Sequence, residues 1–141
     1  MNVTPAPTDG SADLFPVSIK GVVAIDGKVV LLKNERDEWE LPGGKLETGE
    51  VPIECVLREI HEELDLRVTV DCILDAWVYD ILSQVKVLIV TYGCQRTVRG
   101  PISISHEHKA VGMFGLDEIE GLNMPDGYKH SIRNYMGRTS P

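Results

Sequence analysis

The feature that most limits the fold of this chain is a change of hydrophobic period between residues 51 and 66. There the apolar residues Ile53, Leu57, Ile60 and Leu64 recur at helical spacing, whereas the sequence on both sides is built of β-branched runs. An amphipathic helix set among strands must bury its apolar stripe against a sheet. Upstream, 17–25 and 28–33 are strand-like runs around Asp26-Gly27, a two-residue hairpin signal. Residues 34–38 form a charged loop, 39–41 a short strand, and Pro42-Gly43-Gly44 a turn. Downstream, 67–79 and 84–96 read as longer strands, with a hairpin around 80–83. A strand over 109–115, a helical turn over 116–121 and a helix over 126–136 follow, the last placing Tyr128, Ile132 and Tyr135 or Met136 on one side. Because strands and helices mix without regular βαβ alternation, the expected class is α+β, a mixed sheet between helices.

At 141 residues the chain has room for one domain, expected over 14–138 behind a loose tail at 1–13 rich in Pro, Thr, Ser, Gly and Ala. Thr48 and Glu50 fall where polar groups serve the free amides of a helix start, and Asp65 falls where a helix ends in a left-handed residue. Acidic residues outnumber basic ones 22 to 14, for a net charge of -8, which argues against nucleic acid as a partner. A small phosphorylated substrate stays compatible with that charge, since a divalent cation supplies positive charge locally. No apolar run nears the roughly 20 residues that span a bilayer, so no membrane partner is expected. The first twelve residues lack the basic start and apolar stretch of a secretory signal, so a cytoplasmic location is expected. Cys55, Cys72 and Cys94 are odd in number and widely spaced, and read as buried, reduced thiols.

On the helix, Glu59, Glu62 and Glu63 stand three and four positions apart on one stripe, away from the apolar set. A solvated acidic face would account for them. Three like charges also invite a counter-charge, and hard oxygen ligands suit Mg²⁺ or Mn²⁺. The glycines at 43, 44 and 49 let the backbone approach a metal or phosphate closely. These features describe a metal–phosphate site without naming a reaction.

From Gly44 to Leu66 the chain resembles the Nudix box, G-x5-E-x7-R-E-U-x-E-E-x-G-U, where U is bulky and aliphatic. Gly44, Glu50, Arg58, Glu59, Ile60, Glu62, Glu63 and Leu66 match in spacing, and Asp65 replaces the box's last glycine. Asp is among the better substitutes in a left-handed conformation, so a local backbone cost is expected without loss of chemistry. The resemblance implies an α/β/α sandwich with a mixed sheet and hydrolysis of a diphosphate bond in a nucleotide-like small molecule. It further implies Glu59, Glu62 and Glu63 as metal ligands, the carbonyl of Gly43 as a further one, and a Glu50–Arg58 ion pair that orients the turn. The proton acceptor in the family is a box glutamate or one in a later loop, which here selects Glu59 or Glu107. His106 and His108 beside it read as exposed loop residues. A homodimer is expected by analogy.

For the substrate, Trp77 and Tyr79 share a strand face and lead the aromatic residues suited to stack on a base, with core packing as the alternative; Lys45 completes the expected substrate contacts. The proline that marks ADP-ribose hydrolases and the tyrosine that marks dinucleoside polyphosphate hydrolases are absent around residues 81–85. That favours a nucleoside triphosphate or another small nucleoside diphosphate derivative. Two other readings share the fold: a non-catalytic nucleotide-sensing module, disfavoured by a nearly complete box with every acidic position intact, and an isoprenoid diphosphate isomerase, disfavoured by the short chain and the lack of a catalytic cysteine motif.

Overall fold

A computed structural model describes residues 13–81, 85–98, 100 and 110–139. The order of elements is β1 (Val17–Ile25), β2 (Lys28–Lys33), β3 (Trp39–Glu40), β4 (Gly43–Lys45), α1 (Pro52–Leu64), β5 (Val68–Ile81), β6 (Val85–Arg96), β7 (Ala110–Gly115), a 3-10 turn (Leu116–Gly121) and α2 (Asp126–Thr139). The strands form one sheet in the order β3-β2-β1-β6-β5, with β4 paired to β1 and β7 to β2. β1 runs parallel to β6, and every other pairing is antiparallel. The sheet is therefore mixed, as the scattered helices imply.

The β1–β2 hairpin closes on Asp26 (φ 50°) and Gly27 (φ 77°), and two positive φ values are what a twist-matched two-residue turn needs. Strand alternation then sorts the apolar side chains to two faces. Ile19, Val23, Val30 and Leu32 pack with Cys55, Val56, Ile60 and Leu64 of α1. Val22, Val29, Leu31 and Ile89 pack with Tyr128, Ile132, Tyr135 and Met136 of α2. A sheet apolar on both faces needs a cover on both, and the two helices provide it.

Four local expectations change. Residues 43–45 form β4, because Gly43 and Gly44 pair opposite Lys20 and Ile19 of β1 and continue the sheet. The buried stripe of α1 is Cys55, Val56, Ile60, Glu63 and Leu64, while Ile53 is 43% exposed and Leu57 only half-buried. The stripe is rotated because it tucks Glu63 toward the sheet. The helix starts at Val51 without a side-chain cap, on Pro52, whose fixed φ and missing N–H suit a first turn. Glu50 is thereby left for Arg58. Cys72 is half-buried, with its sulfur 3.2 Å from Arg138, whereas Cys55 and Cys94 are buried; all three are free thiols. The tail expected at 1–13 lies outside the described residues except for Asp13.

Candidate active site

The site is built where β4 delivers the chain into α1. Gly43 faces Lys20 in the β1–β4 register, and Gly21 donates its amide to the Pro42 carbonyl at 2.9 Å. The backbone approach is so close that a Cβ on Gly43 would lie 2.0 Å from the Ile19 carbonyl oxygen, and its φ of +143° also favours glycine. With no side chain there, the Gly43 amide is free to donate to Glu63 Oε1 at 2.7 Å, in the last turn of α1. One residue on, a Cβ at Gly44 would lie 2.4 Å from the Glu59 carboxyl carbon, so this carboxylate rests directly on the Gly44 backbone. The two glycines thus place two of the three stripe glutamates.

The third, Glu62, points outward, its side chain 58% exposed beside Arg58. Arg58 is the local counter-charge. Its Nε and Nη2 donate to the two oxygens of Glu50 at 2.7 and 3.1 Å, and its Nη1 reaches Glu59 at 3.1 Å and Glu62 at 3.3 Å. Two parallel bonds from one guanidinium hold a carboxylate in a fixed plane. The bond from Arg58 holds the Glu50 carboxyl down at about 2, and Glu50 holds the guanidinium charged. The expected Glu50–Arg58 pair is present in this form, and Arg58 also steadies two of the expected metal ligands.

Burial acts in the opposite sense on the glutamates nearest the turn. It pushes the Glu63 carboxyl up to about 7, against the pull of Lys20 and the Gly43 amide, and raises Glu59 above the usual range. Among the described residues no three His, Cys, Asp or Glu side chains already converge as a cage. The donors at hand are carboxylates and the Gly43 carbonyl, all hard oxygens, and desolvated carboxylates crowded together are those a divalent cation would stabilise most. A cation of the Mg²⁺ or Mn²⁺ type fits that donor set, with Glu62 turning in from solvent. Glu107, His106 and His108 lie outside the described residues.

On the α2 side of Gly43 a cavity of about 110 Å³ opens, walled by Lys20, Asn34, Glu38, Glu40, Tyr79 and Tyr128. Tyr79 belongs to it and donates its hydroxyl to Glu38 at 3.0 Å. Trp77 does not. It packs in the α2-side core, its ring 5.1 Å from that of Tyr128 and close enough to Gly127 that a Cβ there would lie 2.3 Å from it. Lys45 is exposed at the end of β4. A larger hollow of about 480 Å³, lined by Asp26, Gln95, Arg96 and Thr97, holds none of these glutamates.

Sequence reasoning passed over Lys20, Asn34 and Glu40. Glu40 accepts from Lys20 Nζ at 3.5 Å and from Asn34 Nδ2 at 3.2 Å. A signal existed for the first of them: Lys20 is the sole charged residue in the apolar run Val17–Ile25, and it is 7% exposed. A lysine is almost never buried without a partner.

The chain matches the NUDIX domain over residues 16–135. A MutT-like protein of Streptomyces ambofaciens is 44% identical over 63 residues, 43% of this chain and 41% of that protein. An 8-oxo-dGTP diphosphatase of Proteus vulgaris is 48% identical over 42 residues, 30% of this chain and 38% of that protein. The chain thus spans less than half the length of these two relatives. An ADP-ribose pyrophosphatase of Methanocaldococcus jannaschii is 35% identical over 131 residues, covering 85% of this chain and 72% of its own. In three dimensions a MutT protein from Methanosarcina mazei Go1 superposes with a TM-score of 0.76 at 20% identity, over 90% of this chain and 96% of that one. With the domain matched over most of its length and the glycine–glutamate arrangement in place, the chain belongs to the Nudix family.

Proposed function

We propose that the chain hydrolyses a diphosphate bond in a nucleoside triphosphate or a nucleoside diphosphate derivative, in the presence of Mg²⁺ or Mn²⁺. The observation that carries this reading is the pair of glutamates set by the two glycines: Glu63 on the Gly43 amide and Glu59 against Gly44, with Arg58 between Glu50 and Glu59. Glu59, Glu62, Glu63 and the Gly43 carbonyl would hold the cation. When bound, it neutralises the diphosphate and lowers the pKa of water. Glu59, whose carboxylate rests on the Gly44 backbone, takes the proton from the attacking water in this reading. Glu107 is its rival for that role. Arg58 keeps the Glu50 side of the turn in place and orients the glutamates. Tyr79 lines the cavity that receives the nucleoside, and Lys45, at the exposed end of β4, meets the diphosphate. No nucleic acid or membrane is needed as a partner; among the described residues no helix is long and apolar enough to cross a membrane.

The test is a nucleotide panel with Mg²⁺ and product identification. It should include 8-oxo-dGTP and ADP-ribose, which the names of two relatives supply. Turnover of at least one nucleotide is expected, with Glu63→Gln and Glu62→Gln each lowering kcat by about 10²–10⁴-fold while the fold persists. Tight binding without turnover would replace the hydrolase with a nucleotide sensor. Near-normal turnover in both variants would remove the assigned roles.

A further inference from the structure

Lys20 is a buried cation that the scheme above leaves without a part. It stands directly opposite Gly43 in the β1–β4 register, and its Nζ lies 3.5 Å from the Gly43 carbonyl and 3.5 Å from Glu40 Oε2. Its side chain is 9% exposed and that of Glu40 14%, so neither charge has much water to replace the other. Glu40 is held in turn by Asn34, on the wall of the cavity that Tyr79 shares. The amide of the same residue, Gly43, holds Glu63. A single ammonium therefore touches a wall of the cavity and the start of β4, which places a stripe glutamate.

We propose that Lys20 is a positioning residue that ties the cavity wall at Glu40 to Gly43 at the start of β4 and, through that residue, to Glu63. This rests on the hydrolase reading for its catalytic consequence, though its structural core does not. An ammonium held between the half-buried Glu40 carboxylate and the Gly43 carbonyl biases the direction of that carbonyl. Its amide belongs to the same short β4 entry, so releasing the carbonyl loosens the amide that grips Glu63. A ligand that draws Glu40 toward itself would pull on the same ammonium, which links filling of the cavity to the glutamate geometry. Small displacements of such supports cost turnover steeply, about 10²-fold for about 1 Å.

The test uses the full chain, ¹⁵N-labelled and free of nucleotide and metal, with the Gly43 amide as reporter. In Lys20→Met, Gly43 amide exchange is expected to quicken at least about tenfold beyond any change in global opening, whereas the Ile132 amide in α2 follows global stability alone. With 8-oxo-dGTP or ADP-ribose and Mg²⁺, kcat is expected to fall about 10²-fold with KM nearly unchanged, and Lys20→Arg is expected to restore most of it. Unchanged Gly43 exchange in Lys20→Met overturns the proposal. So does a raised KM with normal kcat, which would make Lys20 a direct ligand contact. If Lys20→Met fails to fold, Glu40→Gln carries the test by removing the anchor of the ammonium: Gly43 exchange at least about threefold faster supports the coupling, and unchanged exchange overturns it. If the unaltered chain turns over neither nucleotide, the hydrolase reading suffers, and the exchange result still decides the role of Lys20.

Discussion

At the scale of single residues, two adjacent glycines have different reasons to be glycine, and substitution separates them. A Cβ on Gly43 strikes the backbone of β1, at a φ of +143°. Backbone cannot step aside, so Gly43→Ala should destabilise the protein by about 3 kcal/mol, visible in urea unfolding. The three atoms nearest a Cβ on Gly44 are all of the Glu59 carboxylate, the far end of a flexible side chain. That side chain can swing away at little cost to folding, but its carboxylate leaves the site. Gly44→Ala should therefore keep its melting temperature within a degree or two and lose about 10²-fold in kcat. Equal losses of stability in the two variants would contradict this division. The same contrast explains why glycine content alone was an incomplete guide: the sequence shows that both positions lack a side chain, but not what occupies the space.

At the scale of the elements, α1 shows what the chain discloses about itself and what it withholds. Its end was legible: Asp65 sits in the left-handed region at φ 53° and donates its amide to the His61 carbonyl at 2.9 Å. Asp65→Gly should relieve about 1 kcal/mol of backbone cost and raise Tm by about 4 °C without altering kcat. No gain in Tm would mean that the exposed His61–Asp65 contact, 3.5 Å apart, offsets the strain. The helix face was read less well. Periodicity weighs Ile53 and Glu63 by their hydropathy, but Glu63 is buried because a backbone amide receives it, which no hydrophobic pattern encodes. The Gly43–Lys45 segment departs from its sequence signal for a related reason: a Pro-Gly-Gly sequence signals a turn, and only the long-range pairing to β1 makes a strand of it. The box also conceals a pH dependence. The Arg58 bond keeps the Glu50 carboxyl at about 2 rather than 4.5. A carboxyl depressed in the folded state adds stability above its unfolded pKa and loses it as the pH falls toward the folded value. Glu50→Gln should accordingly be less stable than the parent near pH 7, and the gap should narrow steadily on acidification from about pH 5 to about pH 2. A gap independent of pH would show that the ion pair contributes through shape alone.

At the scale of the whole molecule, the two cores share their central strands, and this sets how the protein should unfold. β1 and β2 send alternate side chains to α1 and to α2, so Val22 and Val23, or Val29 and Val30, belong to opposite cores. Neither face can open fully without exposing strands that the other face also needs. Ile132 is wholly buried on the α2 side, far in sequence from the glutamate helix. Truncation to alanine removes its buried methyl and methylene contacts and leaves a void, at a cost of about 2–5 kcal/mol. If the shared strands make the sheet one cooperative unit, Ile132→Ala should lower the opening free energy of the Ile60 amide in α1 by the same amount as that of Tyr135 in α2. Urea unfolding followed by tryptophan fluorescence reads the α2 side, because Trp39 and Trp77 pack there; far-ultraviolet dichroism reads both helices. The two transitions should coincide in the parent and in Ile132→Ala, with the midpoint lowered and the slope unchanged. A fluorescence transition that moved ahead of the dichroism would show that α2 detaches first, and that the glutamate helix and its glycine turn stand on the β1–β6 sheet without it.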